Sequence, residues 1–156
     1  MTNCVKIVHL TVVRQLTAGQ TKQLQFEYAA AKNLQDAAWT TFAYHNGPLT
    51  EPYMRQIPFL FRSLFMRKLW GWIIALRLSR SYDFVMMRHM TFDPFAFIFA
   101  PLIGNRLSVH HAKELEELHL IRRGWKGKAA VLLEQISGRV AIKHTKIIFG
   151  VTQEIA

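Results

Sequence analysis

Four apolar stretches each end in polar residues, and the segments between them alternate in the manner of strand and helix. Lys6-Ile7-Val8-His9-Leu10-Thr11-Val12-Val13 runs into Thr17-Ala18-Gly19, and Tyr82-Asp83-Phe84-Val85-Met86-Met87-Arg88 runs into His89. Leu107-Ser108-Val109 ends in His110-His111, and Lys146-Ile147-Ile148-Phe149-Gly150-Val151 ends in Thr152. Strands buried on both faces read as near-continuous apolar runs, and such runs separated by helices form a parallel sheet with crossover helices. The expected fold is therefore α/β, a Rossmann-like three-layer domain with a mainly parallel sheet. In an open sheet of this kind ligands bind beyond the carboxyl ends of the strands, where these polar residues fall.

Between the strands, Thr21–Leu34 reads as a helix, because Leu24, Tyr28 and Ala31 recur at spacings that place them on one face. Trp39–Tyr44 reads as a second strand stopped by His45-Asn46-Gly47-Pro48, and the stretch from there to Pro58 as a loop. Phe59–Ser79 is the most apolar helical segment. Its unbroken apolar run is only Leu69–Leu76, and four basic residues interrupt the wider span. A membrane-spanning helix needs roughly twenty apolar residues, so this segment does not cross a bilayer. Apolar residues cover nearly its whole circumference, which leaves two readings: a core helix, or a basic-aromatic surface that dips into lipid headgroups. On the second, Arg62, Arg67, Lys68, Trp70, Trp72 and Arg77 form the membrane surface.

Further along, Phe92–Ala100 reads as a short buried helix with Asp93 as N-cap, Lys113–Arg122 as a charged helix, and Lys128–Lys143 as an amphipathic one after a break at Gly124–Gly127. Thr152 is placed as the N-cap of a helix that begins as the chain ends.

A length of 156 residues fits one domain, expected over 1–156, and 51% apolar content excludes a disordered tail. The single cysteine, Cys4, can form no internal disulfide and supplies no zinc quartet, which fits a cytoplasmic location. The formal net charge of +10 is unevenly placed: from Arg55 to Arg80 there are six basic residues and no acid. Such a patch attracts anionic lipid headgroups, nucleic acid or phosphorylated substrates. A nucleic-acid-binding module is the alternative class, on a pI of about 10.2, but bulky apolar residues intersperse the basic ones and no helix-turn-helix, RNP or zinc-finger pattern is present.

No GxGxxG or GxxxxGK[ST] follows the first strand, which disfavours dinucleotide and P-loop readings, and no HExxH or Cys/His spacing marks a metal site. His9, in mid-strand, reads as a satisfied core histidine. His89, His110 and His111 follow strands and are candidate site residues, joined by Thr17 and Gly19 after the first strand. Glu114, beside Glu116 and Glu117, follows the histidine pair at a helix start, where acidic charge is favourable in any case.

Taken together, Lys6–Thr11 followed by Gly19, Tyr82–His89, Ser108-Val109-His110-His111-Ala112-Lys113-Glu114 and Gly150-Val151-Thr152-Gln153-Glu154-Ile155 resemble the N-terminal half of a retaining GT-B glycosyltransferase of the group 1 (GT4) kind. In that family the N-terminal Rossmann-like domain mainly binds the acceptor, and the C-terminal domain holds the nucleotide-sugar. By position, the resemblance assigns Gly19 to the glycine loop near the interdomain cleft and His89 to the end of the D-x-V-x-x-x-H strand. It assigns His110 to the histidine near the transferred sugar, with His111 where the family has aspartate. Thr152 matches the small hydroxyl residue after the last strand.

The resemblance thus implies His110 and His111 as catalytic residues, with Gly19, Thr17, His89, Glu114 and Thr152 lining the acceptor cleft. It implies a glycan or lipid-linked acceptor, an anionic membrane surface on the inner face of the cytoplasmic membrane, and a complementary donor domain as partners. Nothing corresponds to that donor domain or its E-x7-E motif, so the expectation is a glycosyltransferase fragment, inactive alone and without a cofactor of its own.

Overall fold

The computed structural model describes residues 4–12, 16–34, 36–44, 49, 51–58, 60–88, 93–110 and 124–149. Six strands lie in one sheet in the order β3-β2-β1-β4-β5-β6. They are β1 (Val5–Val12), β2 (Ala37–Tyr44), β3 (Met54–Ile57), β4 (Phe84–Arg88), β5 (Leu107–His110) and β6 (Ile147–Phe149). Four helices are described: α1 (Ala18–Lys32), α2 (Leu64–Leu78), α3 (Ala96–Ile103) and α4 (Trp125–Lys143). The pairings β1–β2, β2–β3 and β5–β6 are parallel. This is the α/β, Rossmann-like arrangement expected from the sequence, and its strand order is the doubly wound one that reverses beside β1. The chain divides into two compact units, Met1–Met86 and Met87–Ala156.

In the first unit, β1 is covered on both faces. Val8 and Leu10 are 0% and 1% exposed, and the alternate residues His9 and Thr11 are buried as well. Glu27 of α1 reaches His9 on one face, and Gly71 of α2 lies against Val12 on the other. Residues alternate across a strand, so α1 and α2 cover opposite sides of the sheet and make three layers. β1 and β2 pair in register from Val5 opposite Ala37 to Val12 opposite Tyr44. At the amino end of β1, the Lys6 N–H donates to the Asp83 carboxylate at 2.8 Å and the Asp83 N–H to the Lys6 carbonyl at 2.9 Å. These bonds tie the entry of β4 to β1.

The α1 face anticipated from its spacing is the one buried: Leu24 and Ala31 are buried, and half-buried Tyr28 packs with Leu24, Tyr53 and Met54. The helix starts earlier than expected, at Ala18. The reason is a capping box, in which the Thr17 hydroxyl accepts the Gln20 N–H and the Gln20 side chain accepts the Thr17 N–H.

Residues 54–57 form a strand where the sequence reads as a loop. β3 is only four residues long, and its inward residues are Met54 and Ile57, so it lacks period-two alternation. Pro52 and Pro58 flank it, which an edge strand tolerates.

In the second unit, α3 and α4 pack on one another. Asp93 does not cap α3 directly. Its carboxylate accepts the Phe95 N–H at 3.0 Å, a turn that sets up a helix beginning at Ala96. α4 begins at Trp125 rather than Lys128: Gly124, at φ +83°, is its N-cap, and Gly127 lies buried inside the helix. Ser108 opposite Ile147 and His110 opposite Phe149 fix the register of β5 and β6.

Candidate functional site

The carboxyl end of β1 leads into the N-terminus of α1, the position that carries ligands in sheets of this order. Thr17 is extended there, with φ −79° and ψ 159°. Its hydroxyl sits 3.3 Å from the Gln20 N–H, and its N–H donates to Gln20 Oε1 at 3.0 Å. The N–H and the hydroxyl of Thr17 are thus committed to starting the helix. The N–H groups of Ala18 and Gly19 precede the capped donor in the first turn, where an acceptor is favoured. Gly19 is helical rather than part of a loop, which corrects the glycine-loop reading. A Cβ added at Gly19 would meet nothing within 4 Å, so no close backbone approach inside the protein requires glycine.

Two predictions separate capping from ligand contact here. Thr17→Ala should cost about 1 kcal/mol in urea unfolding, the usual value of a lost N-cap. Gly19→Ala should gain about 0.5–1 kcal/mol from helix propensity. A loss of stability in Gly19→Ala would contradict the helical assignment.

Deeper along the same face lies a polar cluster. His9 is 4% exposed, and its Nδ1 lies 2.6 Å from Glu27 Oε2. A carboxylate can only accept, so Nδ1 carries the proton. Glu27 Oε1 accepts from Gln23 Nε2 at 2.9 Å, and the Trp39 ring meets His9 edge-on, with centroids 6.1 Å apart. Trp39 Nε1 donates to Thr41 Oγ1 at 3.2 Å, and Thr41 is the register partner of His9. This is the satisfied core histidine expected from its mid-strand position, with Glu27 as the group that satisfies it.

Tyr53, in the stretch read as a loop, stacks on Tyr28 with ring centroids 4.1 Å apart. Its hydroxyl is buried without a hydrogen-bond partner among the described residues. Burial first, then the negative charges of Glu51 and Glu27, push its pKa up from 10.0 to about 12. Below pH 10 the tyrosine is protonated in both folded and unfolded chains. Between pH 10 and about 12 only the unfolded chain ionises, so stability falls across that window. Tyr53→Phe removes the group, leaving a shallower decline in urea-unfolding stability over this range than the parent shows. Below pH 10 the same variant should gain about 1 kcal/mol, because a buried hydroxyl without a partner is costly. An equal decline in both proteins, or a destabilised variant, would contradict this.

Of the remaining sequence-predicted residues, His89, His111, Glu114 and Thr152 lie outside the described residues. His110 is the last residue of β5, with its backbone in register with Phe149; its side chain is also outside the description. Arg62, just before α2, and Arg77 on it are exposed, while Arg67 and Trp70 are half-buried. Lys68 and Trp72 are only 7% and 4% exposed. Lys68, Gly71, Trp72 and Ala75 form the helix's buried stripe, so Lys68 and Trp72 do not belong to a membrane-facing surface. Among the described residues, no group of three or more His, Cys, Asp or Glu is placed to hold a metal ion, and no helix is long and apolar enough to cross a membrane.

No family model and no curated protein matches the sequence. Among solved structures, the chain is similar to a Vibrio parahaemolyticus protein of unknown function at 11% identity and a TM-score of 0.49, over 99% of this chain and 96% of that one.

Proposed function

We propose that this chain is the acceptor-side, Rossmann-like half of a retaining glycosyltransferase of the GT-B group 1 kind. The observation that carries the reading is positional: the quoted motifs follow, or sit at, the carboxyl ends of β1, β4, β5 and β6, strands of one doubly wound sheet. That edge is where such sheets bind ligands. On this reading Ala18 and Gly19 of α1 offer N–H donors to an acceptor, and His89, His110 and His111 take the roles that the family resemblance implies for them. Thr17 positions the helix rather than touching ligand. A complementary donor domain supplies the nucleotide-sugar, and an anionic membrane surface supplies a lipid-linked acceptor at the cytoplasmic face.

A sugar-transfer assay tests the proposal. The chain alone, given a panel of nucleotide-sugars and lipid-linked acceptors, is expected to form no product, because in this fold transfer takes place between two domains. Sustained transfer by the chain alone would overturn it.

A further inference from the structure

The outer face of α4 is built in two halves. Gly127, Val131, Glu134, Gly138 and Ala141 are buried, and they recur at spacings of three and four, so they mark the side on which the helix packs. On the opposite side Ala129, Leu132, Ile136, Arg139 and Lys143 recur at the same spacings, and all five are exposed. Leu132 and Ile136 are 58% and 49% exposed. The stripe is apolar as far as Ile136 and basic beyond it. Lys128 is exposed beside it, and the only acid of α4, Glu134, is buried on the other side.

α3 adds to the apolar half. Its sequence, AFIFAPLI, has no polar side chain. Ala96, Ala100 and Ile103 are buried, while Phe97, Ile98 and Leu102 are 55%, 58% and 62% exposed. The two helices pack on one another. Apolar residues exposed singly need no explanation, whereas five large ones on two packed helices mark an interaction surface.

Charge chooses the occupant. In a parallel pair of two copies, Arg139 and Lys143 would meet their own counterparts; in an antiparallel pair they would lie over Ala129 and the apolar half, with no acid to meet them. Either arrangement leaves like or unpaired charges in an interface, which is costly. A membrane fits no better. A helix lying at a lipid surface keeps its basic residues on the polar side, whereas Arg139 and Lys143 share one line with Leu132 and Ile136 and would sink to the same depth. An acidic partner meets both halves: apolar side chains cover the first, and carboxylates pair with the second.

We propose that the outer face of α4 docks an acidic amphipathic helix of another protein, with its apolar residues on Leu132 and Ile136 and its carboxylates on Arg139 and Lys143. Residues that repeat at three and four along one helix form the seam to which a second helix packs. The surface uses none of the residues assigned to sugar transfer and does not rest on that reading.

Fluorescence anisotropy of two labelled helical peptides tests the surface on the whole chain at physiological salt. Both peptides carry a stripe of leucines, which one flanks with glutamates and the other with lysines. The acidic peptide is expected to bind about tenfold more tightly. Leu132→Gln puts another good helix former at an exposed position; it should weaken that binding about tenfold and leave the unfolding midpoint unchanged. Arg139→Glu combined with Lys143→Glu should reverse the preference, so that the basic peptide binds more tightly. The double reversal lowers the net charge from +10 by four and leaves it positive, so attraction by net charge alone would still favour the acidic peptide. An unreversed preference, unchanged binding in Leu132→Gln, or a lowered unfolding midpoint in that variant would each overturn the proposal. So would a chain that sediments as a dimer and becomes monomeric in Leu132→Gln, which would give the face to a second copy. Binding to phosphatidylglycerol vesicles that the same variant abolishes would give it to a membrane, and would overturn the proposal as well.

Discussion

Gly71→Val should destabilise the first unit by about 3 kcal/mol or more, the largest effect expected of any single substitution considered. A Cβ built at Gly71 falls 2.8 Å from Val12 Cγ2 and 3.6 Å from both Cβ and Cγ1 of the same side chain. Val12 is β-branched, with little rotamer freedom, and is held in a strand paired along its length with β2. The obstruction therefore cannot swing aside as the tip of a lysine could. Overpacking of this kind typically costs 1–3 kcal/mol. Gly71→Ala recovers about 1 kcal/mol of helix propensity, so its net loss should be about 1–2 kcal/mol. Valine adds two more methyl groups and recovers less.

The compensating change locates the effect. Val12→Ala opens space opposite Gly71 and should make Gly71→Ala neutral or better, giving a coupling of about 1–3 kcal/mol in a double-mutant cycle. Additive urea-unfolding free energies in that cycle would show that α2 does not approach β1 through Gly71.

Glu27→Leu should cost about 1–3 kcal/mol, because it leaves the Nδ1–H of His9 buried without its acceptor. The bond it removes is short, at 2.6 Å, and His9 is nearly inaccessible. Glu27→Gln keeps an acceptor and should cost less. The double variant His9→Phe with Glu27→Leu removes both polar partners from the same space, and should recover most of the loss. That asymmetry distinguishes a bond that satisfies a buried group from one that is strongly stabilising in itself. A double variant as unstable as Glu27→Leu alone would contradict the assignment.

The fold was legible where the physics is periodic or continuous. The buried strands β1 and β4 announce themselves as apolar runs, and the Leu24–Tyr28–Ala31 spacing identifies the inner face of α1. His9 could be read as a satisfied core residue from its mid-strand position alone. Its partner could not, because Glu27 is 18 residues away and nothing local marks which carboxylate will meet it. β3 escaped because four residues between prolines carry no alternation, and Tyr53 was lost with it.

The start of α1 was misplaced because Gly19 looks like a loop residue until the Thr17–Gln20 capping box is recognised. That T-x-x-Q spacing is a signal the sequence does contain. On α2, an almost uniformly apolar circumference hides which side faces inward. Only the packing of Gly71 on Val12 separates buried Lys68 and Trp72 from exposed Leu64 and Phe65. Of the candidate site, the chain positions after each strand were readable, whereas the roles of the histidines there rest on the glycosyltransferase resemblance.

The most direct test of the acceptor-side assignment is a backbone amide NMR titration of the chain, first with a lipid-phosphate-linked sugar in a membrane mimic and then with soluble nucleotide-sugars. The lipid-linked acceptor is expected to shift the amides of Ala18 and Gly19 and of the residues after β4 and β5, while the nucleotide-sugars leave the spectrum unchanged. Saturable shifts at α1 from a nucleotide-sugar, with none from the lipid-linked acceptor, would contradict the account.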